Sequence, residues 1–96
     1  MVAKLVRKSD GAVFELGPNP TMIGRSRACT ISVPDDPMLS RTHCLVHKKH
    51  GRWLVTDLGS SNGVFLNGRR VTEAELKNGD VIQAGKNLFT FLEAEQ

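Results

Sequence analysis

Apolar and polar residues alternate with a period of two along most of this 96-residue chain. This pattern is typical of β-strands that bury one face and expose the other. Clusters of Gly, Pro, Asn, Asp and Ser separate the alternating segments at short intervals. About ten short strands at this spacing predict an all-β sandwich. They span residues 3–8, 13–16, 21–24, 30–33, 42–48, 53–58, 64–66, 69–71, 81–84 and 88–92.

Asn67-Gly68 is the strongest turn signal in the chain. A two-residue hairpin turn of the favoured type needs positive φ at both positions, which Asn and Gly tolerate best. Residues 72–77 are the one segment whose pattern is compatible with a helix, and it is too short to dominate the fold. Further loops are predicted at residues 9–12, 17–20, 34–37, 49–51, 59–63, 78–80 and 85–87.

The basic residues are unevenly distributed. Thirteen Lys and Arg against ten Asp and Glu give a net charge of +3. Residues 1–52 hold nine basic and four acidic residues, a balance of +5, whereas residues 53–96 hold four and six, a balance of −2. This excess in the first half favours an anionic partner.

The length predicts one domain over residues 1–96, with an ordered core at about residues 2–93. No apolar run approaches the ~20 residues of a membrane helix, and residues 1–4 do not begin a signal peptide. A cytoplasmic location, no membrane partner and a monomeric state are expected. Cys29 and Cys44 are expected to stay reduced, as small, semi-buried packing residues.

Three polar segments interrupt the strand pattern: Gly24-Arg25, Ser40-Arg41-Thr42-His43 and Ser61-Asn62-Gly63. Each follows or splits an apolar run, where a turn at a strand end is expected. Together they offer guanidinium, hydroxyl and carboxamide groups, and none contains a carboxylate. If the three loops converge, they form a site for a phosphate carried on a peptide.

The arginines are suited to phosphate because a planar guanidinium can donate two parallel hydrogen bonds. Arg27 would share the face of Arg25 on an extended backbone and is predicted as a secondary contact. Ser40 and Arg41 are adjacent, so a hydroxyl and a guanidinium can contact different oxygens of one phosphate.

Two further side chains have different predicted roles. His43 has the opposite strand parity to Ser40, so it is expected to point away from Ser40, bond the backbone and fix the loop. Asn62 carries both a donor and an acceptor, so it can bond the C=O and N–H groups of a bound peptide. Leu58 and Val64 flank the loop directly, which predicts a short and tight connection.

In this order and spacing, the motifs resemble those of the forkhead-associated (FHA) domain family. They are Ile23-Gly24-Arg25-Ser26, Ser40-Arg41-Thr42-His43 and residues 57–68, and the resemblance extends over nearly the whole chain to Phe91. It implies an FHA/SMAD-like β-sandwich of about eleven mostly antiparallel strands. The family binds phosphothreonine peptides through loops at one end, and a small pocket for the threonine γ-methyl gives its preference over phosphoserine.

The resemblance also implies which residues act. Those at the ligand are Arg25, Ser40, Arg41, Ser61 and Asn62, of which Asn62 bonds the peptide backbone. Those that shape the site are Gly24, His43 and Gly63. The implied function is non-catalytic recognition of phosphothreonine in Ser/Thr-kinase signalling, with no cofactor and no metal. The implied partners are kinase substrates or the kinase itself. Val64 is a minor departure, since threonine often follows the family's Asn-Gly.

Two alternative binding functions stay open. A basic nucleic-acid-binding domain is compatible with the sequence pI of 9.2. The chain has no Tyr and few aromatic residues for base stacking, and its cations are dispersed, which disfavours nucleic acid. A phosphorylation-independent interaction domain is the other alternative, although no predicted phosphate ligand is missing.

Two catalytic or metal-binding alternatives are weaker. A hydrolase built from Ser40, His43 and Asp57 lacks the G-x-S-x-G motif. A metal site built from histidines and Cys44 would need His43 and His47 to share one ion. Along a strand these two residues are about 13 Å apart, too far for bonds of about 2 Å.

Overall fold

The computed structural model describes residues 2–94, and within that range it contains β-strands and no helix. The all-β prediction is therefore confirmed. No helix long and apolar enough to cross a membrane occurs in this described range. The strands are β1 (Val2–Arg7), β2 (Val13–Leu16), β3 (Thr21–Gly24), β4 (Ile31–Ser32), β5 (Cys44–Lys49), β6 (Arg52–Asp57), β7 (Val64–Leu66), β8 (Arg69–Val71), β9 (Glu73–Glu75), β10 (Val81–Ala84) and β11 (Asn87–Ala94).

These eleven strands form two sheets. One has the order β2-β1-β11-β10-β7-β8, and the other has the order β4-β3-β5-β6-β9. Strand pairs are antiparallel except for the short parallel pair of β3 and β4. The predicted sandwich of mostly antiparallel strands is thus confirmed.

The core lies between the two sheets. Phe89 and Phe91 of β11 are fully buried on one side, and Val46 and Val55 are fully buried on the other. Trp53 packs against Phe91 with ring centroids 6.2 Å apart. Burial of each such side chain contributes about 1.5–3 kcal/mol, which holds the strand ends that carry the loops in fixed positions.

The segment compatible with a helix, residues 72–77, contains a strand instead. Strand β9 pairs antiparallel with β6, and Leu54 lies opposite Glu75. The amide of Leu76 donates to the Trp53 carbonyl at 2.8 Å, and Leu76 is buried. Pairing with the edge of β6 and burial of Leu76 override the modest helix propensity of this sequence.

The predicted turn at Asn67-Gly68 is confirmed. Asn67 has φ 51° and Gly68 has φ 83°, and the flanking residues Leu66 and Arg69 are paired. Positive φ at both central residues is the geometry that matches the right-handed twist of a hairpin.

Both cysteines are buried and free. Burial, with a smaller contribution from the nearby Asp57 charge, raises the pKa of Cys44 to about 12. Burial also raises the pKa of Cys29. Both thiols are therefore protonated at neutral pH and should react slowly with alkylating agents.

Candidate functional site

The three polar segments converge at one end of the sandwich. The loops after β3, before β5 and before β7 surround an open cavity of about 350 Å³. The structure thus brings together all five side chains predicted at the ligand. The cavity is lined by Arg25, Pro37, Met38, Leu39, Ser40, Arg41, Ser61 and Asn62.

Backbone hydrogen bonds hold the first two loops together. The amide of Arg25 donates to the Ser40 carbonyl at 2.9 Å, and the amide of Ser26 donates to the Arg41 carbonyl at 3.1 Å. Gly24 permits this approach, because a Cβ there would overlap the Arg41 carbonyl oxygen and lie 2.7 Å from Cys29 Sγ. Glycine at this position is therefore a packing requirement.

The two arginines of the cavity have free guanidinium groups. Arg25 and Arg41 are exposed, and no carboxylate of residues 2–94 lies within 4.0 Å of either. An anionic ligand can consequently bind both without first breaking an ion pair. The ion pairs found in the described range are Arg7–Asp10, Arg52–Glu75 and Lys77–Glu75.

The hydroxyl of Ser40 joins the second loop to the third. Its Oγ accepts a hydrogen bond from the Ser61 amide at 3.1 Å. A serine hydroxyl has one donor as well as two lone pairs, so the O–H remains able to donate to a phosphate oxygen. The Ser61 side chain is exposed at the cavity edge.

The imidazole of His43 is fully buried beneath the loops. Its Nδ1 accepts from the Ser40 amide at 3.0 Å, and its Nε2 donates to the Gly63 carbonyl at 2.8 Å. These partners fix the tautomer, since an amide can only donate and a carbonyl can only accept. The ring therefore connects the loop of Ser40 to the loop of Gly63.

The expectation that His43 points away from Ser40 is wrong. Strand β5 begins at Cys44 and the backbone bends at residues 41 and 42, so strand parity does not apply to residues 40–43. The same geometry bears on the hydrolase alternative. Both ring nitrogens of His43 bond backbone atoms, and neither bonds the Ser40 hydroxyl, so the structure does not form the serine–histidine pair that activates a nucleophile.

The third loop is tight. The Ser60 amide donates to the Asp57 carboxylate at 2.9 Å, and the Gly63 amide donates to Ser60 Oγ at 3.0 Å. Gly59 and Gly63 have φ of 74° and 85°, a conformation that suits glycine. The backbone that presents Asn62 is thus held at several points.

Asn62 is exposed above this fixed backbone. Its Nδ2 donates to the Met38 carbonyl at 2.8 Å, which connects it to the loop before β5. A carboxamide has a second N–H and an acceptor oxygen. Neither has a hydrogen-bond partner within the described part of the chain, so both are available to a ligand.

Comparison with known proteins identifies the family. The FHA domain model matches residues 21–85, which include every candidate residue named above. The chain belongs to the FHA domain family.

Individual relatives of this FHA domain are similar in sequence or structure. The glycogen accumulation regulator GarA of Mycolicibacterium smegmatis is 38% identical over 82 residues, which are 85% of this chain and 51% of GarA. The chain thus spans about half the length of this curated relative. Mycobacterium tuberculosis EmbR, in complex with a low-affinity phosphopeptide, has a TM-score of 0.89 and 32% identity over 95% of this chain and 24% of EmbR.

A further solved structure matches end to end. It comes from a structural and functional analysis of phosphothreonine-dependent FHA domain interactions. Its TM-score is 0.92 at 27% identity, with 100% of both chains covered. The arrangement of sheets and loops in this FHA domain is therefore that of the family.

Arg27 is the predicted residue that the structure does not bring to the cavity. The backbone turns after Arg25, where the Cys29 amide donates to the Ser26 carbonyl at 3.0 Å. The extended backbone assumed for Arg27 is therefore absent, and Arg27 lies exposed outside the lining residues.

Asp36 was missed by sequence reasoning and holds the loop before β5 in place. Although it is only 5% exposed, its carboxylate has three donors: the amides of Met38 at 2.9 Å and Lys86 at 2.7 Å, and Asn87 Nδ2 at 2.8 Å. Its bond to the amide two residues on is a common role of Asp in turns. The sequence signal for this role is an Asp in the turn between Pro34 and Pro37.

The structure does not support the metal-site alternative. Within residues 2–94, no group of three or more His, Cys, Asp or Glu side chains is arranged to hold a metal ion. His47 is instead bonded through Nε2 to Thr56 Oγ1 at 2.9 Å, on the strand pair β5–β6.

Proposed function

We propose that this FHA domain binds phosphothreonine-containing segments of other proteins and catalyses no reaction on them. One observation carries the proposal: two guanidinium groups, which have no carboxylate partner among residues 2–94, and a serine O–H face the same open cavity. Such a cluster leaves a concentration of positive charge and donors that an anion would neutralise.

The phosphate would be held by Arg25, Ser40 and Arg41, with Ser61 as an additional contact. A phosphorylated side chain carries about −1.5 to −2 charges at neutral pH. Each hydrogen bond to a charged group contributes about 1.5–3 kcal/mol. Three or four such bonds, less the free-energy cost of association, correspond to roughly micromolar affinity, which suits a reversible contact.

The peptide main chain would be held by Asn62. Its unused N–H and its Oδ1 can bond a C=O and an N–H of a bound segment. Because its other N–H already bonds the Met38 carbonyl, the carboxamide is oriented before the ligand arrives. Preorganisation of this kind lowers the entropy lost on binding.

A preference for phosphothreonine over phosphoserine follows if the threonine methyl is buried at the cavity. Burial of one methyl contributes about 0.8 kcal/mol, or roughly fourfold in affinity. A larger preference would require the methyl also to fix the rotamer of the phosphorylated side chain.

The partners would be products of Ser/Thr kinases or the kinases themselves, in the cytoplasm. Two relatives support this setting: EmbR has been solved with a phosphopeptide, and GarA is a regulator. The chain spans only about half of GarA, so the partners of the larger proteins are not transferred to it.

The test is a calorimetric titration with one peptide in phosphothreonine, phosphoserine and unphosphorylated forms. We expect micromolar binding of the first, weaker binding of the second and none of the third. Equal binding of all three would contradict the proposal. Tight binding of random oligonucleotides, with no gain from peptide phosphorylation, would favour the nucleic-acid alternative.

A further inference from the structure

Arg70 lies next to the third loop and outside the residues that line the cavity. It is in β8, opposite Phe65 of β7. Gly63 directly precedes β7 and has a φ of 85°, so it is not part of the extended strand. The Arg70 side chain nevertheless reaches it. A Cβ added to Gly63 would lie 2.6 Å from Arg70 Nε and 2.9 Å from Cζ.

The guanidinium of Arg70 therefore packs directly on the Gly63 backbone. That backbone is held by the His43 ring on its carbonyl and by Ser60 Oγ on its amide. Asn62 precedes Gly63, and consecutive Cα atoms are about 3.8 Å apart. The Arg70 guanidinium therefore lies beside a backbone segment that is itself held in place, next to Asn62.

The charge of Arg70 has no acidic partner in the described range. Its side chain is exposed, and no carboxylate of residues 2–94 lies within 4.0 Å. An exposed guanidinium without an ion pair keeps its donors available, and its planar fork can form two parallel hydrogen bonds with a carboxylate.

We propose that Arg70 binds an Asp or Glu side chain of the peptide whose phosphothreonine occupies the cavity. This inference rests on the proposed function. An extended peptide advances about 3.3 Å per residue. A peptide side chain close in sequence to the peptide residue that bonds Asn62 would therefore come within reach of Arg70. Arg70 would then select among phosphothreonine peptides by an acidic residue at one fixed distance from the phosphothreonine.

Arg69 provides a matched control. It is adjacent and exposed, and it carries the same charge, but it pairs with Leu66 and lines a different depression together with Asn67 and Val71. Arg69→Gln removes the same charge from the hairpin without removing the group at Gly63. Arg70→Lys keeps the charge at Gly63 but removes the planar guanidinium.

The experiment is a positional scan in calorimetry. A phosphothreonine peptide with Ala at every other position is compared with versions that carry one Asp at each position in turn. For wild type and Arg69→Gln, we expect one position at which Asp raises affinity about three- to fivefold. In Arg70→Gln this gain should disappear, while affinity for the all-Ala peptide is retained. Arg70→Lys should keep part of the gain.

Three outcomes would overturn the inference. The first is that no Asp position raises the affinity of wild type, and the second is that Arg69→Gln and Arg70→Gln lose the Asp-dependent gain equally. The third is that Arg70→Gln lowers the affinity for Asp-containing and all-Ala peptides by the same factor. The last result would assign Arg70 to packing on Gly63. These results leave phosphothreonine binding itself intact. If wild type binds no phosphothreonine peptide, the proposed function fails and this inference fails with it.

Discussion

Two Asn-Gly dipeptides lie five residues apart, and their surroundings differ. In Asn67-Gly68 the carboxamide is used within the protein: Oδ1 accepts from the Val81 amide at 2.9 Å, and Nδ2 donates to Asp80 at 3.0 Å. In Asn62-Gly63 one N–H bonds the Met38 carbonyl, and the rest of the group is free in the described range. The first Asn fixes a hairpin, and the second is available to a ligand.

For the two glycines the order is reversed: Gly63 has more contacts within the protein than Gly68. Apart from its chain neighbours, no atom of the described residues lies within 4 Å of a Cβ added to Gly68, which is exposed. Gly63 is buried, its amide and carbonyl are both bonded, and Arg70 packs on it. In Asn62-Gly63, a glycine that is bonded through both its amide and its carbonyl supports an asparagine whose side chain is incompletely bonded in the described range. The same dipeptide can thus use its Asn side chain within the fold or leave it exposed, and its neighbours decide which.

His43→Ala should have the largest effect, because it removes the support beneath Asn62-Gly63. It leaves the Ser40 amide and the Gly63 carbonyl without partners, at about 1–3 kcal/mol for each buried group. We expect the free energy of unfolding in urea to fall by about 3 kcal/mol. His47→Ala, on an outer strand position, should lower it by less than about 1 kcal/mol. Equal losses would show that His43 has no special role in the loops.

Arg25→Ala tests the ligand side of the comparison. Loss of a charge-assisted contact of about 1.5–3 kcal/mol predicts a more than tenfold fall in affinity for a phosphothreonine peptide. The side chain is exposed and has no ion pair in the described range, so stability should be unchanged. Arg27→Ala is the matched control, with a much smaller expected loss. The same loss in both would mean that general charge, and not the cavity, attracts the peptide.

Asn67→Ala should behave as a stability variant. It removes two hydrogen bonds and places Ala at φ 51°. A left-handed residue costs about 1–2 kcal/mol, so we expect a total loss of about 2 kcal/mol in the free energy of unfolding. The folded variant should bind phosphothreonine peptide as wild type does. A clear loss of affinity would extend the site to this hairpin and break the comparison.

Asn62→Ala should show the reverse behaviour. Its one bond to the Met38 carbonyl is exposed, so unfolding in urea should change by less than about 0.5 kcal/mol. Loss of the bonds to the peptide backbone predicts about a tenfold fall in affinity, equivalent to ~1.4 kcal/mol. Unchanged affinity would remove Asn62 from the site.

The difference between Gly63→Ala and Gly68→Ala is the smallest predicted effect. Both positions have positive φ, of 85° and 83°, so both variants should lose about 1–2 kcal/mol of stability. Gly63→Ala must also displace the end of the Arg70 side chain, which is flexible, so the additional loss should be below about 1 kcal/mol. Thermal unfolding of the pair measures this difference. A smaller loss for Gly63→Ala than for Gly68→Ala would contradict the packing described for Arg70.

Much of this fold could be predicted, because alternation with a period of two reports which face of a strand is buried. Positive φ at Asn67-Gly68 followed from the same local chemistry. Strand β9 was not predicted, since its Glu and Ala residues have no local β preference and its pairing depends on the free edge of β6. The sequence around residues 73–75 does not show that β6 has an unpaired edge, because that edge arises from the tertiary fold.

The candidate site was predictable in composition and less so in geometry. The convergence of Arg25, Ser40 and Asn62 could be expected from three polar loops in order. The orientation of His43 could not, because the parity argument assumed a strand that begins only at Cys44. Arg70 had no local signal beyond being basic, since its contact with Gly63 arises from the pairing of β7 with β8.

The central claim is that phosphothreonine binding uses the free side chains of the three converging loops. A titration with a phosphothreonine peptide, followed by two-dimensional ¹H–¹⁵N correlation NMR of the domain, tests it most directly. The account predicts the largest shift changes at the amides of residues 25, 40–41 and 61–63 and at the Asn62 side-chain NH₂, with little change at Asn67. Largest changes at Asn67-Gly68 or on an outer sheet face, with the three loops unaffected, would contradict it.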